Sequence, residues 1–111
     1  MDVQQLLAQM TVSNLGTAVD WYTRLFGRIP DTRPMDGLVE WHLSSMFGVQ
    51  VWADPDRAGR STMVLVEADL DALVADLDCA GIAHSGPQQA SSSRIVMLAD
   101  PDGNTVVFAG A

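Results

Sequence analysis

The chain has no lysine. Its six basic residues are all arginine, set against 14 acidic residues, for a net charge of −8 over 111 residues. Without lysine there is no Schiff-base amine and no phosphate-loop lysine. The shortage of positive charge also removes the basic face on which nucleic-acid phosphates would dock. Nucleic acid is therefore not an expected partner. An acidic balance weakly favours a cationic ligand, although acidic surfaces usually just keep a protein soluble. Cysteine is nearly missing too: Cys79 is the only one, so no internal disulfide can form. No apolar run approaches the roughly 20 residues that span a bilayer. The opening Met1-Asp2-Val3-Gln4-Gln5 has no basic segment of the signal-peptide kind. The expectation is a cytoplasmic protein with no membrane partner.

What is present fits one domain over residues 1–111, long enough for a real core. Two helical stripes stand out. Leu15, Ala18, Val19, Tyr22, Leu25 and Phe26 share one face, with Ser13 or Asn14 able to cap the start and Gly27 placed to stop it. Leu70, Leu73, Val74 and Leu77 form the second stripe, from the Asp69 cap to Ala80 and the Gly81 stop.

The remaining segments read as strands. They are Leu6–Val12, Leu38–Leu43, Val49–Trp52, Thr62–Val66, Arg94–Leu98 and Thr105–Phe108. The apolar run Thr62–Val66 predicts a central strand. Weaker extended stretches follow each helix, near Arg28–Arg33 and Ile82–Ser85. Two polar segments read as loops, the connector Asp54–Arg60 and the stretch Gln88–Ser93. The order is strand, helix, three strands, and then the same again. Setting Leu15 against Leu70 also sets Ala18 against Leu73, Val19 against Val74 and Tyr22 against Leu77. This is a weak internal duplication, with half-modules of about 1–57 and 58–111. Each half has one helix to cover one sheet face, so the other face needs a partner or a ligand.

Three segments carry a family likeness. They are Thr11-Val12-Ser13-Asn14-Leu15 with Trp21-Tyr22 and Leu25-Phe26-Gly27, then Glu67–Leu73 ending at Ala80-Gly81-Ile82, then Asp100-Pro101-Asp102-Gly103-Asn104. With the paired βαβββ order, the chain resembles the vicinal oxygen chelate superfamily, the group of glyoxalase I, bleomycin-resistance proteins and extradiol dioxygenases. The resemblance covers nearly the whole chain. It implies an α+β fold, two βαβββ repeats forming a cupped mixed β-sheet with helices on the outer face, usually completed as a homodimer. In the family's enzymes, inward His and Glu side chains hold one divalent metal, which polarises a substrate with two neighbouring oxygens.

The metal positions do not carry over. The first family His matches Leu7, the second matches Ser61 or Thr62, and the Glu matches Val107, four residues after Gly103. None of these is a credible ligand set. The expected metal is none and the expected cofactor is none.

The expected function is a metal-free small-molecule binding protein that sequesters a drug or metabolite. Its expected pocket is Leu7, Gln9, Trp41, Trp52, Met63 and Val107. The two strand tryptophans would stack on a planar or cationic ligand, and core packing is the competing reading. No catalytic residue is assigned, and the sequence leans away from an enzyme. The alternative is a metal-dependent lyase, isomerase or dioxygenase with a relocated divalent-metal site. It would use Glu40 and His42, which lie two apart on a strand and so share a face. Alternation with Val39, Trp41 and Leu43 also fits a plain polar stripe. His84 is expected to be exposed, Cys79 to be a small buried residue and Arg94 to lie on the surface.

Overall fold

The computed structural model describes residues 1–111. Ten elements follow in chain order: β1 (Leu6–Val12), α1 (Leu15–Phe26), β2 (Thr32–Met35), β3 (Leu38–His42), β4 (Phe47–Ala53), β5 (Thr62–Glu67), α2 (Leu70–Cys79), β6 (Ser85–Gln89), β7 (Arg94–Ala99) and β8 (Thr105–Gly110). This is βαβββ twice, in an α+β fold. The helix signals are where the sequence puts them. The Asn14 side chain accepts from the Thr17 N–H, and Gly27 stops α1 at φ 72°. Asp69 caps α2 by accepting from the Ala72 N–H.

The strands form two four-stranded mixed sheets, ordered β1-β4-β3-β2 and β5-β8-β7-β6. In each, the first strand pairs in parallel with the last of its half, and the other pairings are antiparallel. The expected central strand, β5, lies at an edge. Its run is apolar for another reason: Met63 packs into the core while Val64 and Val66 are exposed on the other face. The weak extended stretches resolve as β2 and β6, each a few residues later than the sequence suggests, and β6 takes in Gln88 and Gln89.

Both helices cover the same side of the molecule. One buried cluster joins Ala18, Trp21 and Tyr22 of α1 and Leu70 and Leu77 of α2 to the inward residues of both sheets. The two halves are fastened by the Asp100-Pro101-Asp102-Gly103-Asn104 turn. Gly103 takes φ 90°, which ends the turn at no steric cost. Buried Asp100 accepts from the Tyr22 hydroxyl (2.8 Å), from Asn104 Nδ2 (2.7 Å) and from the backbone N–H groups of Asp102 and Asn104. Asn104 Nδ2 also donates to the Thr11 carbonyl, and Asp102 accepts from the Ser13 N–H and hydroxyl. Burial and the neighbouring Asp100 carboxylate push the Tyr22 phenol far above its ordinary pKa. Edge strands β1 and β5 meet where the Thr11 N–H donates to Ser61 Oγ, and no strand pairing joins them. The molecule measures 39 × 35 × 24 Å. Its short dimension matches one layer of sheet and one of helix, so the second face of each sheet is uncovered.

Candidate functional site

On the first sheet, the side chains turned away from α1 fall in three rows across β1, β4 and β3. Register aligns Leu7, Gly48 and His42, then Gln9, Gln50 and Glu40, then Thr11, Trp52 and Leu38. The middle row is hydrogen-bonded from end to end. Gln9 Nε2 donates to Gln50 Oε1 at 3.1 Å, and Gln50 Nε2 donates to Glu40 Oε2 at 2.6 Å. Thr32 Oγ1 of β2 donates to Glu40 Oε1 at 3.2 Å, and His42 Nε2 lies 3.0 Å from the same oxygen. Glu40 is only 8% exposed, and both oxygens are engaged, as a buried carboxylate requires. Donation from His42 and Gln50 holds its carboxyl below the usual range, against burial, which pushes it up. The backbone of His42 is fixed separately. Its N–H donates to Asp31 Oδ2 at 2.6 Å and its carbonyl accepts from Arg28.

The second sheet presents a different surface. Its open rows hold Thr62, Val64 and Val66 on β5, Thr105, Val107 and Ala109 on β8, and Ile95, Met97 and Ala99 on β7. No ionisable side chain stands among them. A shallow cavity of about 390 Å³ opens beside Ser85, Met97, Ala99 and Thr105, with His84 at its wall. Between the edges of β1 and β5 runs an apolar wedge of about 410 Å³, lined by Leu6, Ala8, Phe47, Val64 and Val66 among others.

Of the expected pocket residues, Leu7, Gln9, Trp52 and Val107 face the open side. Trp41 and Met63 do not, and these two are corrections. Trp41 is fully buried under α1, with its ring centroid 6.0 Å from Tyr22 and 5.4 Å from Phe26. Its Nε1 donates to the Arg28 carbonyl at 2.8 Å. The reason is parity: Trp41 pairs with Val49 and Trp52 with Leu38, so the two rings point to opposite faces. Met63 pairs with Val106, an inward residue, and joins the same buried cluster. The alternative polar pair, Glu40 and His42, is brought together on the open face. Sequence reasoning missed Gln50 and Thr32, although Gln50 interrupts the apolar residues Val49 and Val51 and so marks an outward position.

Two side readings also change, and a third holds. His84 is not exposed: its side chain is 12% exposed and its Nε2 lies 2.9 Å from Asp78 Oδ1. Cys79 is exposed rather than buried. Arg94 is on the surface, as expected, and pairs with Asp71 at 3.1 Å.

The residues at the superfamily's metal positions do not fit a metal. Leu7, Thr62 and Val107 lie on the open faces, but two are hydrocarbon and the third is a lone hydroxyl. Ser61 Oγ is already used by the Thr11 N–H. Nowhere do three or more His, Cys, Asp or Glu side chains gather as a ligand set.

No protein-family model matches the chain, and no curated protein does. Solved structures match closely. A glyoxalase/bleomycin resistance protein from Catenulispora acidiphila is 28% identical, with a TM-score of 0.89 over 97% of this chain and 98% of that one. TnmS3, an antibiotic binding protein from a Streptomyces strain, is 24% identical with a TM-score of 0.78, over 99% of this chain and 95% of that one. A bleomycin-binding protein complexed with bleomycin is 18% identical with a TM-score of 0.79, over 100% and 99% of the two chains. The last two likenesses carry the fold alone. With its repeated βαβββ order, its two caps and turn in register, and the first of these likenesses over nearly its whole length, the chain has the fold of the vicinal oxygen chelate superfamily and is similar to its glyoxalase/bleomycin resistance proteins.

Proposed function

We propose that this is a metal-independent small-molecule binding protein that sequesters a drug or metabolite on the open faces of its sheets. The observation that carries the reading is the state of the metal positions. Leu7, Thr62 and Val107 face outward as ligands should, and their side chains offer no usable donor set. The scaffold is kept, and these positions give Lewis-acid chemistry no ligands. Two similar structures are proteins named for binding bleomycin and an antibiotic, which supports the same use here. The binder acts as a homodimer. Exposed Val64, Val66 and Met97 on the open face of the second sheet, and Leu6 and Phe47 at the wedge, support a second copy covering part of this surface. No helix is long and apolar enough to cross a membrane, and the lone cysteine supports a cytoplasmic setting.

The test uses tryptophan fluorescence. Trp52 is half-buried on the open face and reports on it. Chelator-treated protein is titrated with bleomycin and a panel of antibiotics and planar metabolites. A saturable change that survives the chelator, and that shrinks in Trp52→Phe, supports the reading. Binding that appears only after zinc, nickel or manganese is added would overturn it.

One observation favours a second reading. Glu40 Oε1 and His42 Nε2 stand 3.0 Å apart on the open face, where a relocated metal could draw on both. On that reading His42→Ala abolishes metal uptake.

A further inference from the structure

The hydrogen-bonded row on the first sheet has a direction. An ionised carboxylate can only accept, and Glu40 is the sink of the whole network. Gln50 must therefore turn its amide nitrogen toward Glu40 and its carbonyl toward Gln9. Gln9 must in turn present its own nitrogen to that carbonyl, leaving Gln9 Oε1 without a partner. The same logic fixes the histidine. The Nε2 that faces Glu40 carries the proton, so in the neutral form of the ring Nδ1 is an acceptor, and the side chain is 35% exposed. Glu40 Oε2 takes one bond, from Gln50, and keeps a lone pair free.

Three acceptors with a lone pair to spare therefore stand in the open-side rows: Gln9 Oε1, His42 Nδ1 and, deeper because Glu40 is largely buried, Glu40 Oε2. Gln9 and Glu40 stand two strands apart, a span of roughly 10 Å. No arginine lies in these rows. A surface of acceptors around an anionic carboxylate suits a group that only donates. An anion or a carbonyl would meet lone pairs, whereas an ammonium, amidinium or guanidinium meets three acceptors and one charge. A fully donor-only cation also avoids leaving any of its own acceptors unpaired.

We propose that the Gln9–Gln50–Glu40–His42 row is the recognition site for an organic cation of the ammonium, amidinium or guanidinium class. It rests on the reading that this face binds a small molecule, and it names the part of that molecule which docks on the first sheet. The apolar part of the ligand is left to the rest of the open surface.

The experiment uses full-length protein and two small probes, benzamidine and its uncharged match, benzamide. The chain has only two histidines, so proton NMR of the imidazole ring resolves His42, and His84→Gln assigns it. Benzamidine should shift the His42 ring signal saturably, while benzamide binds at least about tenfold more weakly. Glu40→Gln should weaken benzamidine about tenfold or more. Gln9→Leu, at an exposed position that folding tolerates, should weaken it severalfold and keeps the test alive if Glu40→Gln does not fold. Equal binding of the two probes, or benzamidine binding untouched by Gln9→Leu and Glu40→Gln, overturns the proposal. So does a His42 signal that never moves, even if an antibiotic still quenches Trp52 fluorescence. In that last case the binding reading stands and only the cation site falls.

Discussion

Along β4 the open face of the first sheet runs Gly48, Gln50 and Trp52, while along its counterpart β8 the second runs Thr105, Val107 and Ala109. The same contrast holds strand by strand. Glu40 and His42 on β3 stand where Met97 and Ala99 stand on β7, and Gln9 on β1 stands where Val64 stands on β5. The helix-facing sides do not diverge in this way. Met10, Val12, Val39, Val49 and Val51 in one half answer to Met63, Val96, Leu98, Val106 and Phe108 in the other. A strand's two faces are independent because its side chains alternate, and only one face is held by packing. The duplication has thus kept one face for the core and released the other for chemistry. The first half uses that freedom for a polar, charge-bearing row, and the second for an apolar wall.

Breaking the protected face should cost most. Trp41→Ala removes a fully buried indole from the aromatic cluster and should destabilise by about 3–5 kcal/mol, read by urea unfolding. Trp52→Ala, its neighbour on the released face, should cost clearly less and instead reduce ligand binding. Near-equal losses for the two would erase the distinction between the faces.

The junction between the halves comes next. Asp100→Ala leaves the Tyr22 hydroxyl and the Asn104 amide without their buried acceptor, which should cost about 3 kcal/mol. Tyr22→Phe removes one bond and should cost about 1 kcal/mol at neutral pH. It also has a pH signature. Tyr22 is the only tyrosine, and its folded pKa is raised. Its contribution is therefore complete below the unfolded value of about 10 and is lost as pH rises above it. Unfolding measured across the alkaline range should fall more steeply for the native chain than for Tyr22→Phe.

The polar row has the opposite pH sign and a smaller effect. The folded pKa of Glu40 is lowered, so its contribution is present above the unfolded value of about 4.3 and is lost as pH falls below it. Glu40→Gln should cost about 1 kcal/mol at neutral pH and flatten the acid limb of the stability curve. Cys79→Ser, on the exposed end of α2, should change stability by less than about 0.5 kcal/mol.

Much of this was legible in the residues. The Asn14 cap, Asp69 cap and Gly27 stop bracket both helices because capping is a local matter. The Asp100–Asn104 turn is equally local, though its role as a clasp is not: its partners Tyr22, Thr11 and Ser13 come from the other half of the chain. The faces were harder. Alternation in Val39-Glu40-Trp41-His42 separates two sets but does not say which set meets the helix. That choice is made by register with β4, which pairs Trp41 with Val49 and sends it inward. In Thr62–Val66 every residue but the first is apolar, so alternation is silent, and the inward turn of Met63 had no sequence signal. Glu40 and His42 were readable as a pair, whereas Gln50 and Thr32 complete the row only through cross-strand contacts.

On the proposed function, this scaffold binds its ligand without a metal. Equilibrium dialysis of the purified protein against zinc, nickel and manganese, followed by elemental analysis, tests it most directly. The prediction is metal far below one equivalent per chain, unchanged in His42→Ala. One tightly held equivalent, lost in His42→Ala, would contradict the account and place the metal at Glu40 and His42 instead.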